Sequence, residues 1–470
     1  MAGLPHAFDP TSLREYDIRG VVGTTLHAAD AYAIGRCFGA IVARGGGQRV
    51  AVGCDGRLSS PMLEEALVQG LIEAGMAVSR IGCGPTPMLY FASYQLGADG
   101  AVMVTGSHNP PNYNGFKMML GGKPFFGPQI QEIGALAAAG NLPAAKPGSA
   151  ETVDVSAAYL DRLVADWDGG DAALTVVWDP GNGSGGAITE RLVARLPGRH
   201  TVINGTIDGT FPAHHPDPTV PRNLVQLADA VRAEGADLGI AFDGDADRIG
   251  VVDGGGTMLF GDQLLVVLAR DVLASRPGAT IIADVKASQV LFDAVAAAGG
   301  SPLMWKTGHS LIKAKMAEVG SPLAGEMSGH IFFADRWYGF DDALYAAIRL
   351  LGILGRTGQN LATIRTSLPQ VINTPELRFD CADTRKFDVV AEVKARLAAA
   401  GARVQAVDGV RVLTEDGWWL LRASNTQAVL VARAEAATEA GLERLKAEIA
   451  RELAASGLAP PDFSGENAGH

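Results

Sequence analysis

The chain has 470 residues, 47% hydrophobic and 19% charged, the balance of globular domains with full cores. Its net charge of −12, with acidic and basic residues interspersed, makes nucleic acid and anionic membrane poor partners; an anionic ligand would need a locally basic pocket. Four cysteines (Cys37, Cys54, Cys83, Cys381) without paired spacing imply neither a zinc site nor a disulfide framework.

At ~100–150 residues per domain, the length predicts three to four domains. The first residues carry no basic segment followed by an apolar core, and no apolar run approaches ~18 residues. A soluble, cytoplasmic protein is expected. The 59 glycines often sit in pairs such as Asp-Gly between apolar runs, as frequent tight loops require.

Residues 1–150 open with a polar lead-in, Arg14 to Gly20. A strand at 49–52 breaks at Gly53 and Cys54-Asp55-Gly56-Arg57. Met62, Leu63, Leu67, Leu71 and Ile72 then predict one helical face. A strand at 78–81, a helix at 88–95 and a strand at 101–104 follow, the last running into Thr105-Gly106-Ser107-His108-Asn109-Pro110. This strand–loop–helix alternation predicts a mostly parallel sheet with helices on both faces.

The Ala/Gly/Pro-rich stretch 137–150 reads as a linker. A second α/β block covers 151–256, with strands at 174–178 and 238–242. A third covers 257–369, with strands at 280–285 and 302–305. In 370–470, strands at 410–413, 418–421 and 428–432 precede a helix with Thr438 as N-cap and Leu442, Leu445, Ile449 and Leu453 on one stripe. Strands followed by a helix predict an α+β domain with an antiparallel sheet. The Gly/Pro-rich tail after Ser456 is expected to fray.

Four loops carry the chemistry. At Ser107, a hydroxyl beside an imidazole at a strand end suits a nucleophile, although Ser and Asn are also ordinary turn residues. Asp243, Asp245 and Asp247 follow an apolar strand, and carboxylates at i, i+2 and i+4 can converge on one hard cation. An EF-hand fails, because Arg248 follows the third Asp and a strand precedes the loop. Unneutralised, the three carboxylates would repel one another, which favours a metal over a solvated acidic turn. Gly325-Glu326-Met327-Ser328-Gly329-His330 offers hydrogen-bonding groups suited to sugar hydroxyls, or is a generic turn. Arg422-Ala423-Ser424-Asn425-Thr426 joins a guanidinium, hydroxyls and an amide, a phosphate cradle or a β-turn. One such loop in each of four domains predicts a central cleft where three mostly parallel α/β domains and a C-terminal α+β domain meet.

This ordered set resembles the α-D-phosphohexomutase family, within it the bacterial bifunctional phosphomannomutase/phosphoglucomutases. The resemblance spans Tyr16-Asp17-Ile18-Arg19-Gly20 to the Arg422 loop and includes residues 305–310 and 211–218. It implies that Ser107 carries a phosphoryl group and that Asp243, Asp245 and Asp247 hold Mg2+ together with it. By the same resemblance, Glu326 and Ser328 contact sugar hydroxyls, and Arg422, Ser424, Asn425 and Thr426 bind the phosphate not being transferred. Tyr16, Arg19, Lys117, Lys286, Gly308, His309 and His330 fall at other active-site positions. His108 is expected to contact phosphate or substrate rather than to act as the base for Ser107. Ala246 stands where relatives often have Gly, and the loop is expected to survive with negative φ there. Gly106 stands where close relatives often have Ala, which adds backbone freedom.

The implied reaction interconverts hexose 1-phosphate and 6-phosphate through phosphoserine and a hexose 1,6-bisphosphate. Arg248 or Lys117 would neutralise charge, with His330, His309 and Lys117 as proton-transfer candidates. The last domain is expected to move so that the cleft can exchange substrate. Phosphoglucosamine mutase is the nearest rival, against which Met327 argues. A Mg2+-dependent phosphatase and a sensor that has lost turnover are more distant. Partners are small sugar phosphates, with no obligate protein partner implied.

Overall fold

A computed structural model describes residues 5–425 and 427–463. Four sheets of seven, five, four and six strands follow one another along the chain. In the first, Arg49–Cys54 lies centrally, parallel to both Ala77–Cys83 and Gly100–Val104. Arg49–Cys54 and Gly100–Val104 are short, almost wholly apolar and buried on both faces, which is why they read as continuous hydrophobic runs. In the second sheet Thr175–Asp179 pairs parallel with Leu238–Phe242; in the third Thr280–Asp284 pairs parallel with Ser301–Trp305 and Leu323–Gly325.

The sheets are mixed rather than simply parallel. Tyr113–Leu120 runs antiparallel to Gly100–Val104, Ile249–Asp253 to Leu238–Phe242, and Ile331–Phe333 to Leu323–Gly325. Each returning strand brings functional side chains back to the sheet end where the preceding strand stopped. Lys117 returns beside the Ser107 loop, and Arg248 and His330 form a bridge at the ends of their two strands.

Other elements differ from expectation. Within the 137–150 stretch, irregular chain is followed by strand Ser149–Thr152, which joins the first sheet beside Ala77–Cys83. On helix Ser60–Glu73, Leu63, Leu67 and Leu71 are buried, but Met62 points to solvent. The C-terminal sheet is antiparallel as expected and Thr438 caps Glu439–Ala455, its side chain accepting from Gly441 N. A helix absent from the sequence reading, Lys386–Ala399, packs on this sheet through Val389, Val393 and Leu397. Leu458 and Phe463 pack against the same core, so the described part of the tail is anchored.

One apolar core runs through the second and third domains and into the first, joining helices Thr86–Gln95, Ser156–Val164, Gly261–Ser275 and Ala343–Thr357. Each fully buried Leu or Ile in it, such as Leu344 and Ile348, contributes about 1.5–3 kcal/mol. The last domain has its own core around Trp419, Leu421 and Ile449. It meets the third domain through a small apolar cluster, Val285, Trp418 and Leu420. Among the described residues, no helix is long and apolar enough to cross a membrane.

Candidate active site

The Ser107 turn is held from behind. Asp55 accepts from Thr105 Oγ1 at 2.9 Å and Gly106 N at 3.0 Å, and Thr105 Oγ1 accepts from Ser107 N at 2.8 Å. Arg57, fully buried, donates to the carbonyls of Ser107 (2.7 Å), Asn109 (2.6 Å), Pro110 (2.5 Å) and Tyr113 (3.1 Å). This pins Ser107 at φ +50, a conformation an L residue adopts only when its surroundings impose it. Gly106 is required by space rather than freedom, because a Cβ there would lie 2.3 Å from Arg57 Nε.

Ser107 Oγ donates to Asp243 Oδ2 at 2.8 Å, which joins the first loop to the second. Asp243, Asp245 and Asp247 are fully buried, with ligand oxygens within 4.8 Å of one another. Lys117 Nζ donates to Asp245 Oδ2 at 2.7 Å and to Asp247 Oδ2. Burial opposes the ammonium charge on Lys117, but the aspartates outweigh it and hold its pKa up. Burial, then the neighbouring Asp245 and Asp247, pushes the Asp243 carboxyl well above its usual range. Asp247 is also buried, yet Lys117 and His330 hold it well below. Asp245 Oδ1 and Asp247 Oδ1 are buried without a hydrogen-bond partner. An all-oxygen, anionic set with unsatisfied oxygens fits a hard divalent cation.

Ala246 lies at φ +54, not at the negative value expected, which turns the following Asp247 N–H back to Asp243 Oδ1 (3.1 Å). Arg248 Nε lies 3.9 Å from Asp243 Oδ2. His108 also departs from expectation: its Nδ1 is 3.2 Å from Ser107 Oγ. Burial, then the charges of Arg248, Arg19 and Lys117, hold that imidazole well below its usual pKa.

The third loop closes over the acidic cluster. His330 Nε2 lies 3.3 Å from Asp247 Oδ1, and its Nδ1 is 2.9 Å from Ser328 Oγ and 3.1 Å from Glu326 Oε2. Burial works against its charge, but Asp247 outweighs burial and lifts the pKa to about 9. Glu326 Oε1 accepts from Gly308 N at 2.6 Å. Gly308 leaves room for Tyr16, since a Cβ there would lie 2.5 Å from the phenol ring. His309 stacks on His330 with ring centroids 5.5 Å apart, and burial drives its pKa well down.

Tyr16 ties three domains together: its hydroxyl donates to Thr307 O at 2.7 Å and accepts from Asn425 Nδ2 at 2.5 Å. Arg19 reaches Asn109 Oδ1 at 2.7 Å, beside the Ser107 turn. Lys286 lies on the side facing the last domain, and Arg422 is carried by that domain's strand Gly417–Ala423. Lys286 Nζ pairs with Glu376 Oε2 at 2.8 Å, and Arg422 Nε with Asp408 Oδ2 at 2.9 Å. Ser424 Oγ accepts from Gln427 N at 3.2 Å. Thr426 lies outside the described residues.

Four models of phosphoglucomutase/phosphomannomutase domains match in order: domain I at residues 10–143, domain II at 157–256, domain III at 260–372 and the C-terminal domain at 376–452. The phosphomannomutase/phosphoglucomutase of Pseudomonas aeruginosa is 46% identical over 447 residues, 95% of this chain and 96% of that protein. The chain belongs to the phosphoglucomutase/phosphomannomutase family. A phosphoglucomutase of Neisseria gonorrhoeae is 45% identical over 440 residues, 92% of this chain and 94% of its own. A crystal structure of a family member from Burkholderia thailandensis superposes with TM-score 0.91 at 44% identity, covering 97% of this chain and 100% of that one.

Several residues of this family member's cleft escaped the sequence reading. Asp55 and Arg57 carry the Ser107 turn, and Thr86 donates its N–H to Asp245 O at 2.9 Å and its hydroxyl to Asp245 Oδ2. Asp341 lies under His309 and His330 and is paired to Lys313. Glu376 and Asp408 neutralise the two cations of the last domain's side. Asp55-Gly-Arg57 has a signal, a charged pair at a strand end like the four chemistry-bearing loops. The others are lone residues whose partners lie far away in sequence.

Proposed function

We propose that the protein reversibly interconverts hexose 1-phosphates and hexose 6-phosphates, of glucose, mannose or both, with Ser107 as phosphoryl carrier. The observation that carries the reading is Ser107 Oγ, 2.8 Å from Asp243 in a buried acidic cluster that Lys117 only partly neutralises. The names of the relatives support the substrate class. Asp243, Asp245 and Asp247 would hold Mg2+ with the Ser107 phosphate; when bound, the ion neutralises charge on the transferring group.

The chain's own residues account for the rest. Phosphorylated Ser107 yields its phosphoryl group to the free hydroxyl of bound sugar phosphate: the sugar O–P bond forms and the Ser107 Oγ–P bond breaks. The hydroxyl proton passes to His309, whose imidazole burial keeps neutral, beside a His330 that Asp247 holds protonated. The product is a hexose 1,6-bisphosphate, which also serves as activator when it loads an unphosphorylated Ser107. It turns end for end, and its other phosphoryl group returns to Ser107 with the proton given back to the sugar oxygen. Lys117 and Arg248 stabilise charge on the moving group. Glu326 and Ser328 orient sugar hydroxyls. Arg422, Ser424, Asn425 and Lys286 hold the resting phosphate, whose charge would loosen the Asp408 and Glu376 pairs. His108 and Arg19 lie where they can contact the phosphoryl group.

The separate core of the last domain supports its opening, which would release contacts such as Tyr16–Asn425 and those of Arg411 and Arg433 with the 285–287 carbonyls. The test is formation of glucose 6-phosphate from glucose 1-phosphate, with and without glucose 1,6-bisphosphate, beside mannose 1-phosphate and glucosamine 1-phosphate. Isomerisation stimulated by the bisphosphate supports the reading; release of inorganic phosphate instead would make the protein a phosphatase.

A further inference from the structure

Of the four cysteines, Cys83 is exposed, whereas Cys37, Cys54 and Cys381 are buried. The fold sets that exposed thiol against a buried one. Cys54 and Cys83 are register partners at the ends of the parallel strands Arg49–Cys54 and Ala77–Cys83, and Gly84 N closes the ladder on Cys54 O at 3.0 Å. Adjacent strands lie about 4.7–4.9 Å apart, inside the ~4.4–6.8 Å between Cα atoms that a disulfide spans. The two thiols share a hydrogen bond, donated by Cys54 to the Cys83 sulfur. That bond holds the Cys83 thiol below its usual pKa and pushes that of Cys54 up, so that Cys83 is the more nucleophilic of the pair.

Each cysteine lies close along the chain to an anchor of the cleft. Asp55, the residue after Cys54, accepts from Thr105 Oγ1 and Gly106 N behind the Ser107 turn. Thr86, which follows Cys83-Gly84-Pro85, donates its N–H to Asp245 O at 2.9 Å. A change at the two strand ends therefore reaches the serine turn through one neighbour and the aspartate loop through the other.

We propose that Cys83 is a peroxide-sensitive thiol and Cys54 its resolving partner, the two forming a reversible disulfide that slows turnover. The Cys83 thiolate attacks the O–O bond of a peroxide: an S–O bond forms, the O–O bond breaks, and the leaving oxygen departs with a solvent proton as water or an alcohol. The Cys54 sulfur then attacks the Cys83 sulfenic acid. The S–S bond forms, the S–O bond breaks, and the hydroxyl leaves as water with the Cys54 proton. Together the two sulfurs lose the two electrons that reduce the peroxide. Bonding draws them from hydrogen-bond contact to about 2.05 Å, which pulls on both strand ends and on the Asp55 and Thr86 anchors. A reacting group displaced by ~1 Å loses up to about 100-fold in rate. The disulfide does not depend on the mutase reading; its effect on turnover does.

The test treats the reduced full-length protein with a small excess of hydrogen peroxide, blocks the remaining thiols by alkylation and maps unreduced peptides by mass spectrometry. A Cys54–Cys83 crosslink should appear, turnover of glucose 1-phosphate should fall at least about tenfold, and dithiothreitol should restore it. Turnover of the untreated protein tests the mutase reading separately. Cys83→Ser should keep that untreated turnover and resist peroxide, whereas Cys54→Ala should stop at sulfenic or sulfinic acid on Cys83. Circular dichroism checks that each variant is folded, and the exposed Cys83 position carries the test if buried Cys54→Ala is not. Oxidation of Cys83 without the crosslink, a crosslink that leaves turnover unchanged, or equal inactivation of Cys83→Ser overturns the proposal.

Discussion

The guanidinium of Arg57 donates to the carbonyl of Ser107 at 2.7 Å, and the same side chain reaches three further carbonyls of that turn. A backbone conformation that Ser107 would not choose is thus fixed by one buried cation whose own charge faces Asp55 at 3.2 Å. Arg57→Met should cost about 3–5 kcal/mol, because it leaves Asp55 buried without its partner. Turnover should fall at least tenfold as the serine loses its position. Urea denaturation and steady-state kinetics check both; Arg57→Lys should recover little, lacking the planar fork.

Among the described residues, Lys117 is the one side-chain cation that pairs with both Asp245 and Asp247, while His330 reaches Asp247 alone. Lys117→Met should leave the cluster dependent on a divalent ion for charge balance. Thermal unfolding should then show a larger rise in Tm on adding Mg2+ than the unsubstituted protein does. An equal rise in both would contradict this.

Ala246 adopts φ +54 with its side chain fully buried. The left-handed conformation costs about 1–2 kcal/mol. Ala246→Gly removes that cost but loses about 0.8 kcal/mol of methyl burial and adds roughly 0.5–1 kcal/mol of unfolded-chain entropy. The terms nearly cancel, so the variant should lie within about 1 kcal/mol of the parent in chemical denaturation.

Asp342 caps helix Ala343–Thr357, accepting from Tyr345 N at 2.9 Å and Tyr159 Oη at 2.8 Å. Burial pushes its pKa up to about 7. A carboxyl raised on folding contributes stability that is complete below its unfolded pKa, ~4, and is lost as pH rises through the folded value. The parent should therefore lose up to about 4 kcal/mol relative to Asp342→Asn between pH ~4 and ~8. Denaturation of both proteins across that range measures the difference.

Much of this cleft could be read from the chain because each loop sits directly after an apolar run, as Asp243 does after Leu238–Phe242. Local order was enough to place Ser107 and the aspartates at sheet ends. It was not enough for returning antiparallel strands: Tyr113–Leu120 begins with Tyr-Asn-Gly, a turn signal, yet carries Lys117 into the site. Helix Lys386–Ala399 has Val389, Val393 and Leu397 at helical spacing with charges between, so its amphipathic pattern was legible although no helix was expected there. The sign of φ at Ala246 goes with the Asp247 N–H returning to Asp243, and the nearness of His108 to Ser107 with the Arg57 clamp; neither is a property of residue type. Glu376, Asp408 and Asp341 matter only through partners brought near by tertiary structure.

The central claim is that Ser107 carries the phosphoryl group. Incubating the protein with glucose 1,6-bisphosphate and mapping it by peptide mass spectrometry should place one phosphoryl group on Ser107. A single turnover with glucose 1-phosphate in excess should then pass through the bisphosphate. Ser107→Ala should accept no phosphoryl group and lose turnover. Normal turnover in Ser107→Ala, or a phosphoryl group found on another residue, would contradict the account.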